Sequence, residues 1–231
     1  MFFRGGINYL EYLLLSHHRK GHGIHSPFVF KLVSEVFRNK TDPDVVLMIE
    51  NIRKERISDK TKREVLDLGS GSIALKNRIR RVCDIVKYSS VPPKYGTLLF
   101  NLASEFGKPG IVEFGTAAGI STMYLAAAAK DSEVITMEGC PALSELAADN
   151  FRKAGLTNIT QITGPFDDSI GELKRRNIRP GLVFIDGNHR KEPLMRYFSA
   201  MADISDKGTV IVIDDIDRKS TRLNSSHGKL S

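Results

Sequence analysis

The sequence contains no tryptophan and only two cysteines, Cys83 and Cys140, among its 231 residues. These cysteines do not form a metal-binding spacing, and their scarcity fits a reducing compartment better than a disulfide-stabilised secreted domain. Long apolar runs are also missing, because the segment "YLEYLLL" is too short to cross a bilayer and contains Glu11. No signal-peptide pattern is present. These absences predict a cytoplasmic protein without a membrane span.

Charge is unevenly distributed along the chain, which has a net charge of +7. Residues 1–110 contain 19 Lys and Arg against 11 Asp and Glu, whereas residues 111–216 contain 11 against 15. A basic half can attract nucleic acid or an anionic lipid surface. Here the basic residues alternate with acids along helical segments, and the interleaved aromatic and basic residues of an RNA-binding surface are missing. We therefore predict a solvated basic face and no nucleic-acid partner.

Residues 110–140 carry the most informative pattern of the chain. They predict a strand, a glycine-rich turn with Gly115 and Gly119, a helix, and a second strand that ends at Glu138. A helix that begins after such a turn directs its N-terminal amides at a ligand in the turn. Glu138 lies 19 residues after Gly119, close to the offset at which an acid reaches ribose hydroxyls. A cofactor that contains a nucleoside is the expected ligand.

The glycine spacing indicates which cofactor this is. The third glycine of the dinucleotide fingerprint is missing, and the acidic residue Glu113 precedes the first glycine. A carboxylate repels a pyrophosphate but suits an ammonium or sulfonium group. The pattern resembles motif I of the class I S-adenosylmethionine-dependent methyltransferases. Two alternatives stay open: a nicotinamide-dependent reductase, which the spacing disfavours, and a non-catalytic cofactor-binding or scaffolding protein of the same fold.

The segments after this unit predict the fold. Further strands are expected at 158–164, 181–189 and 208–216, separated by helices. This alternation is typical of an α/β fold with a doubly wound, mostly parallel, Rossmann-like sheet. Ligands of such sheets bind beyond the carboxyl ends of the strands. Five acids are expected at that edge: Glu113, Glu138, Asp186, Asp214 and Asp215.

The resemblance implies a role for each residue of the cofactor site. Gly115 and Gly119 would shape the loop around the methionine part. Glu113 would face the sulfonium and amino end of the cofactor, and Glu138 would bind the ribose. The segment "GPFD" would border the adenine, with Phe166 as an apolar contact. The residues assigned to the cofactor are Glu113, Gly115, Thr116, Gly119, Glu138, Gly164, Phe166 and Asp167.

The acids after the last two strands resemble those of metal-dependent O-methyltransferases. "FIDGNH" and "IVIDDI" match the positions of the metal ligands, so the resemblance implies that Asp186, Asp214 and Asp215 hold a Mg²⁺. Such a cation would activate a hydroxyl of a small-molecule methyl acceptor. Sugar-methylating relatives have an aspartate as base where this chain has Asn188, so His189 is the expected base, unless the metal alone suffices. Asp186 could alternatively cap the following helix.

A second glycine-rich segment, "EVLDLGSGS" at residues 64–72, also looks like motif I. It is followed by a basic stretch without a second strand at the proper distance. We interpret it as a strand-like or loop segment of an N-terminal extension, with its glycines as turn formers. The alternative places the cofactor loop at Asp67, Gly69 and Gly71.

Four histidines precede a helix whose start is marked by Ser26 and Pro27. Zinc binding is conceivable, but no cysteine or carboxylate joins them at a recognised spacing. We expect instead a loop that folds over the active-site edge. The segment with "HSPF" resembles the N-terminal extension of a group of bacterial methyltransferase-like proteins. The histidines are His17, His18, His22 and His25.

The C-terminal segment 217–227, "DRKSTRLNSSH", resembles the translation of a common sequencing adapter. We therefore expect a gene that continues after Ile216 and a sheet that lacks its last strands through truncation. The predicted organisation is a helical, basic extension at 1–100 that serves as a substrate lid or cap, a cofactor-binding domain at 101–216, and a non-native tail at 217–231. A homodimer is left open.

Overall fold

The computed structural model describes residues 26–66 and 78–214. The chain divides into two compact units, Met1–Lys40 and Thr41–Ser231. The described part of the first unit is helix α1, Pro27–Lys31, followed by a π-helical turn, Leu32–Val36. The α1 helix begins as predicted.

A five-stranded parallel sheet forms the centre of the second unit. The strands are β3 Gly110–Phe114, β4 Glu133–Glu138, β5 Ile159–Thr163, β6 Leu182–Ile185 and β7 Val210–Ile213. Their order in the sheet is β5-β4-β3-β6-β7, and every neighbouring pair is parallel. The predicted doubly wound, mostly parallel sheet is confirmed. Strand β3 lies at the centre because β4 and β5 are added on one side of it, and β6 and β7 are then added on the other.

Helices cover both faces of this sheet, as parallel strands require. A small antiparallel sheet is formed by β1, Lys62–Glu64, and β2, Ile79–Arg81. In sequence, these two strands lie between the first two helices of the unit. The helices are α2 Pro43–Ser58, α3 Val82–Ser89, α4 Pro93–Phe106, α5 Ile120–Ala128, α6 Pro141–Ala154, α7 Phe166–Arg175 and α8 Lys191–Ile204. The domain boundary predicted after residue 100 falls inside α4.

Two apolar clusters hold the second unit together. One lies between the sheet and helices α7 and α8 and includes Phe114 and Tyr197. The other joins α2 and α3 to α5 and α6 around Tyr124, which is fully buried. Helices α4 and α5 approach so closely that a Cβ at position 96 would collide with the Tyr124 ring, and Gly96 has no Cβ. The predicted extension therefore shares a core with the sheet domain.

Helix ends follow the sequence signals. Gly119 has φ +76° at the start of α5, and Gly155 has φ +66° at the end of α6, where a helix stop was predicted. Within the described ranges, no helix is long and apolar enough to cross a membrane.

Several predicted features lie outside the described residues. They are the alternative loop with Asp67, Gly69 and Gly71, the four histidines between His17 and His25, the acid Asp215 and the tail at 217–231.

Candidate active site

The loop between β3 and α5, residues 115–119, contains three residues with positive φ. The angles are +95° at Gly115, +46° at Ala117 and +76° at Gly119. A Cβ at Gly115 would lie 2.9 Å from the Asp186 carbonyl carbon and closer still to its oxygen. Only glycine fits this position, because it tolerates both the angle and the close approach of the β6 end. A non-glycine residue with positive φ, such as Ala117, marks strain that is common at functional sites.

Glu138 holds this loop in place. One carboxylate oxygen accepts a hydrogen bond from the Ala117 amide at 2.8 Å, and the other accepts one from the Cys140 amide at 2.9 Å. Glu138 also lines the main cavity. Since an ionised carboxylate has about four lone-pair positions, the side chain keeps acceptor capacity for a ligand's hydroxyls.

Glu113 lies elsewhere than the sequence predicted. The expectation placed its carboxylate at the edge with the other acids, but the side chain is fully buried and does not line the cavity. Its Oε2 accepts hydrogen bonds from the hydroxyls of Thr122 and, at 2.7 Å, Thr136. Burial raises the pKa of the Glu113 carboxyl, although the hydroxyl bonds act in the opposite direction. The strand turns this side chain inward, where it connects the first turn of α5 to β4.

Thr116 is part of the same buried group. Its hydroxyl lies 2.6 Å from the hydroxyl of Thr136, and its side chain is not part of the cavity wall. Thr116 therefore links the β3–α5 loop to strand β4 and through it to Glu113.

A second buried network reaches the loop from the extension, and sequence reasoning missed it. The Arg56 Nε in α2 donates to Asn150 Oδ1 in α6 at 2.7 Å, and Asn150 Nδ2 donates to the Ala118 carbonyl at 2.9 Å. Arg56 also forms an ion pair with Asp149. These bonds attach the loop to α2 and α6 through the Ala118 carbonyl, next to the residue whose amide bonds Glu138. No local pattern reveals them, because the partners are about 90 residues apart in sequence.

A cavity of about 1120 Å³ opens beside the loop and the strand ends. It is large enough for a nucleoside cofactor together with a small second ligand. The predicted site residues in its wall are Gly115, Glu138, Phe166, Asp167, Asp186, His189 and Asp214. Four others lie outside the wall: Glu113, Thr116, Gly119 and Gly164.

Asp186 and His189 form a polar pair at the end of β6. Their Oδ1 and Nε2 atoms are 3.6 Å apart, and both side chains are about one-fifth exposed, at 21% and 18%. Asn188 between them has φ +51°, and its amide donates to the Tyr197 hydroxyl at 3.3 Å. Asp186 does not cap the next helix, since Arg190 holds that position. The turn thus presents an imidazole beside a carboxylate, an arrangement that can accept a proton.

Phe166 packs in an aromatic group at the same end of the sheet. Its ring centroid is 5.5 Å from those of Phe114 and Tyr197, in edge-to-face geometry. A Cβ at Gly187 would lie 2.6 Å from the Phe166 ring. This packing fixes the ring as an apolar part of the wall. Asp167 follows it and pairs with Arg196 at 3.2 Å.

The predicted metal site is not complete in the described part of the chain. There, no three His, Cys, Asp or Glu side chains come close enough to hold a metal ion. Asp186 and Asp214 both line the cavity, whereas Asp215 lies outside the described residues. The described residues alone do not fit a Mg²⁺ centre, and no step below depends on a metal.

Part of the cavity wall comes from the extension. We call four of its large side chains, Leu66, Arg80, Tyr88 and Tyr95, the cap-side wall. They lie after β1, in β2, in α3 and in α4, so no single motif contains them. Sequence reasoning missed this wall because none of its residues carries a recognisable spacing.

Comparison with known proteins finds a matching domain model and two similar proteins. Residues 112–216 match the model of a methyltransferase domain. The chain is 36% identical over 138 residues to a catechol O-methyltransferase of Niastella koreensis, which covers 58% of this chain and 62% of that protein. It is 31% identical over 131 residues to a catechol O-methyltransferase of Mycobacterium tuberculosis, which covers 56% and 58% respectively. The chain thus spans about six-tenths of the length of these curated relatives.

A solved structure shows the same fold. The O-methyltransferase of Bacillus cereus, in complex with SAH, superimposes with a TM-score of 0.57 at 22% sequence identity. The match covers 87% of this chain and 78% of that one. The sheet order and the glycine-rich β3–α5 loop agree with this match, so the chain has the fold of that methyltransferase, and its residues 112–216 are similar to a methyltransferase domain.

Proposed function

We propose that this protein is an S-adenosylmethionine-dependent O-methyltransferase that acts on a small hydroxylated molecule. One observation carries the proposal: Glu138, at the end of β4, and the Asp186–His189 pair line the same cavity. A ribose-binding acid and a proton-accepting pair thus lie on one cavity. The names of the relatives, catechol O-methyltransferases, support a hydroxylated acceptor.

Each side of the cavity has a separate task in this proposal. Glu138 binds the ribose hydroxyls, the β3–α5 loop surrounds the methionine part, and Phe166 with Asp167 borders the adenine. When bound, S-adenosylmethionine supplies an electrophilic methyl group, and the electron pair of the broken C–S bond stays on sulfur. The acceptor's oxygen forms the new C–O bond, and the His189 imidazole takes the hydroxyl proton. Asp186 orients the imidazole and stabilises its charged form.

Mg²⁺ at Asp186, Asp214 and Asp215 stays a prediction. Activity that survives excess EDTA undiminished would leave His189 as the base without a metal. Loss of activity with EDTA and its recovery with Mg²⁺ would support the metal instead. Cytoplasmic location, bacterial origin and a homodimer also stay predictions.

Calorimetry with S-adenosylhomocysteine and with NADH tests the proposed cofactor. We expect binding of the first and not of the second, because the glycine spacing of the β3–α5 loop disfavours a pyrophosphate. Glu138→Ala removes a charged acceptor, which costs about 1.5–3 kcal/mol and weakens binding roughly ten- to a hundredfold. Glu145→Ala is the matched control, since the Glu145 side chain is 72% exposed in the neighbouring helix and does not line the cavity.

Three outcomes would contradict the proposal. Tighter binding of NADH would favour the reductase alternative, and equal affinity in wild type and Glu138→Ala would reject the ribose assignment. Binding of S-adenosylhomocysteine without methyl transfer to any hydroxylated compound, in a screen with labelled cofactor, would favour the non-catalytic alternative.

A further inference from the structure

Helix α2 carries a second buried arginine, Arg53, besides Arg56. The Arg53 Nε donates to the Glu50 carboxylate at 3.0 Å, and its Nη2 donates to the Val91 carbonyl at 2.7 Å. The Glu50 carboxylate also accepts a hydrogen bond from the Tyr124 hydroxyl at 3.1 Å. These bonds join α2 to α5 and to the segment between α3 and α4.

The segment between α3 and α4 borders the cavity along its whole length. It consists of Ser90, Val91 and Pro92, and all three residues line the cavity. Pro92 and the following Pro93 have no amide hydrogen, so they cannot donate backbone hydrogen bonds. Val91 packs against the apolar cluster around Tyr124, and its carbonyl is attached to α2 by Arg53.

The direction of α4 and α5 locates this segment within the cavity. A Cβ at position 96, near the start of α4, would meet Tyr124 in α5, and one at Gly107, just after α4, would meet Ala129 just after α5. The two helices therefore run in the same direction and begin at the same end. The segment precedes α4 as the β3–α5 loop precedes α5, so both border the same part of the cavity. In the proposed function, that part holds the methionine end of the cofactor.

The Ser90 hydroxyl supplies a polar group at this place. Its Oγ is buried, and among residues 26–66 and 78–214 it has no hydrogen-bond partner. A buried hydroxyl without a partner costs free energy, so such groups in native proteins serve a ligand or bond to water. Because Ser90 also lines the cavity, its hydroxyl is available to a polar group of a ligand.

The ion pair between Arg53 and Glu50 is mostly shielded from water, with side-chain exposures of 10% and 17%. Removal of two charges from water offsets much of their attraction, so a pair of this kind contributes little net stability. The pair instead fixes the direction of the guanidinium, because Glu50 holds Nε while Nη2 bonds the Val91 carbonyl. This arrangement suits a residue that positions a backbone segment.

We propose that Arg53 is a positioning residue for cofactor binding, which holds the segment 90–92 so that the Ser90 hydroxyl bonds the amino-acid end of S-adenosylmethionine. The hydroxyl donates to the carboxylate of that end, and a hydrogen bond to a charged acceptor is one of the stronger kinds. The ribose and adenine are bound separately, by Glu138 and by Phe166 with Asp167. This inference rests on the proposed function and adds two residues to its cofactor site.

Calorimetry with two matched probes tests the contact of Ser90. S-adenosylhomocysteine and methylthioadenosine share the adenine, the ribose and the thioether, and only the first has an amino-acid end. In Ser90→Ala, binding of S-adenosylhomocysteine should weaken about tenfold, whereas binding of methylthioadenosine should stay unchanged. The melting temperature should not fall, because the variant removes a buried hydroxyl that has no partner in the described part of the chain.

Two variants at position 53 test the positioning role. The double variant Glu50→Gln/Arg53→Met removes the ion pair as a whole, so no charge is left buried, and the new amide oxygen still accepts from Tyr124. Arg53→Lys keeps the charge beside Glu50 but lacks the planar fork that reaches Val91 as well. In both, binding of S-adenosylhomocysteine should weaken about tenfold while binding of methylthioadenosine is kept.

Lys54→Met is the matched control. Lys54 is the next residue of α2, is exposed and does not line the cavity, so this variant should bind both probes as the wild type does. Ser90→Ala added to the double variant should weaken S-adenosylhomocysteine little further, because both changes remove the same bond. A thermal melt of each variant checks folding.

Several outcomes would overturn the inference. Equal weakening of both probes in the variants would do so, since a general deformation of the cavity acts on the whole ligand. Fully additive losses of Ser90→Ala and the double variant would show that Arg53 does not act through Ser90. If the wild type binds S-adenosylhomocysteine and the variants do not distinguish the probes, the proposed function stands and the inference fails. If the wild type does not bind S-adenosylhomocysteine, the proposed function fails, and the inference fails with it.

Discussion

The cofactor side of the cavity rests on buried groups that bond to one another, whereas Leu66, Tyr88 and Tyr95 of the cap-side wall are exposed. Glu113 and Asn150 have no exposed surface. Glu113 bonds to the first turn of α5 and to β4, and Asn150 bonds to the β3–α5 loop. Tyr88 and Tyr95 are half exposed. The difference indicates that substitutions on the first side should change stability and cofactor binding together. Substitutions in the cap-side wall should change acceptor binding alone.

The largest effect is expected at Gly115. Gly115→Ala introduces both an unfavourable backbone angle and a collision with the Asp186 backbone, so the free energy of unfolding should fall by about 3 kcal/mol or more. Gly155→Ala, where φ is also positive but no atom lies within 4 Å, should cost about 1 kcal/mol. Gly208→Ala, which has neither feature, should be near neutral. Urea denaturation measures all three, and equal losses would break the comparison.

Asn150 should come next. Asn150→Ala leaves the buried Arg56 guanidinium and the Ala118 carbonyl without this partner, a cost of about 1–3 kcal/mol. Because the loop loses one of its anchors, affinity for S-adenosylhomocysteine should fall as well. Denaturation and calorimetry on the same variant provide the two readouts. A destabilised variant with unchanged affinity would show that Asn150 supports the helices and not the loop.

Glu113 provides a pH-dependent test. Burial raises the pKa of the Glu113 carboxyl in the folded state above its ordinary value, so the folded protein retains this proton more strongly than the unfolded chain. Its contribution to stability is therefore fully present below the unfolded pKa and is lost as pH rises toward the folded pKa. Glu113→Gln keeps an acceptor for Thr122 and Thr136 but has no such proton.

The variant should therefore gain stability relative to wild type as pH rises above about 4.5. Urea denaturation of both proteins between acidic and neutral pH measures this difference. A constant difference would show that Glu113 does not titrate in this range. A selective loss of cofactor affinity in Glu113→Gln would revive the direct contact with the sulfonium that the sequence predicted.

The smallest effect on stability is expected in the cap-side wall. Tyr95→Ala should change the free energy of unfolding by no more than about 0.5 kcal/mol, since half of the side chain is already exposed. Its KM for the acceptor should nevertheless rise. Tyr124→Ala, at a fully buried tyrosine in the adjacent helix, should cost about 3–5 kcal/mol. If Tyr95→Ala destabilised the fold as much, the wall would belong to the core.

Local signals explain what the sequence predicted correctly. The strands around Gly115 and Glu138, the helix stop at Gly155 and the start of α1 at Pro27 follow from residues that are neighbours in sequence. The buried position of Glu113 does not follow from its neighbours in sequence, because its carboxylate bonds to hydroxyls from α5 and β4. The Arg56–Asn150 network and the cap-side wall could not be predicted, since they join segments that only the tertiary fold brings together.

The two amide bonds of Glu138 have a consequence for the kinetics of cofactor binding. Because one carboxylate oxygen bonds the Ala117 amide of the β3–α5 loop and the other bonds the Cys140 amide after β4, we expect these bonds to hold the loop in shape without help from the cofactor. Association then requires no folding of the loop, and its rate should rise linearly with cofactor concentration without reaching a plateau. The heat capacity change of binding should likewise match the apolar area of the cofactor alone, without an added contribution from ordering of the chain.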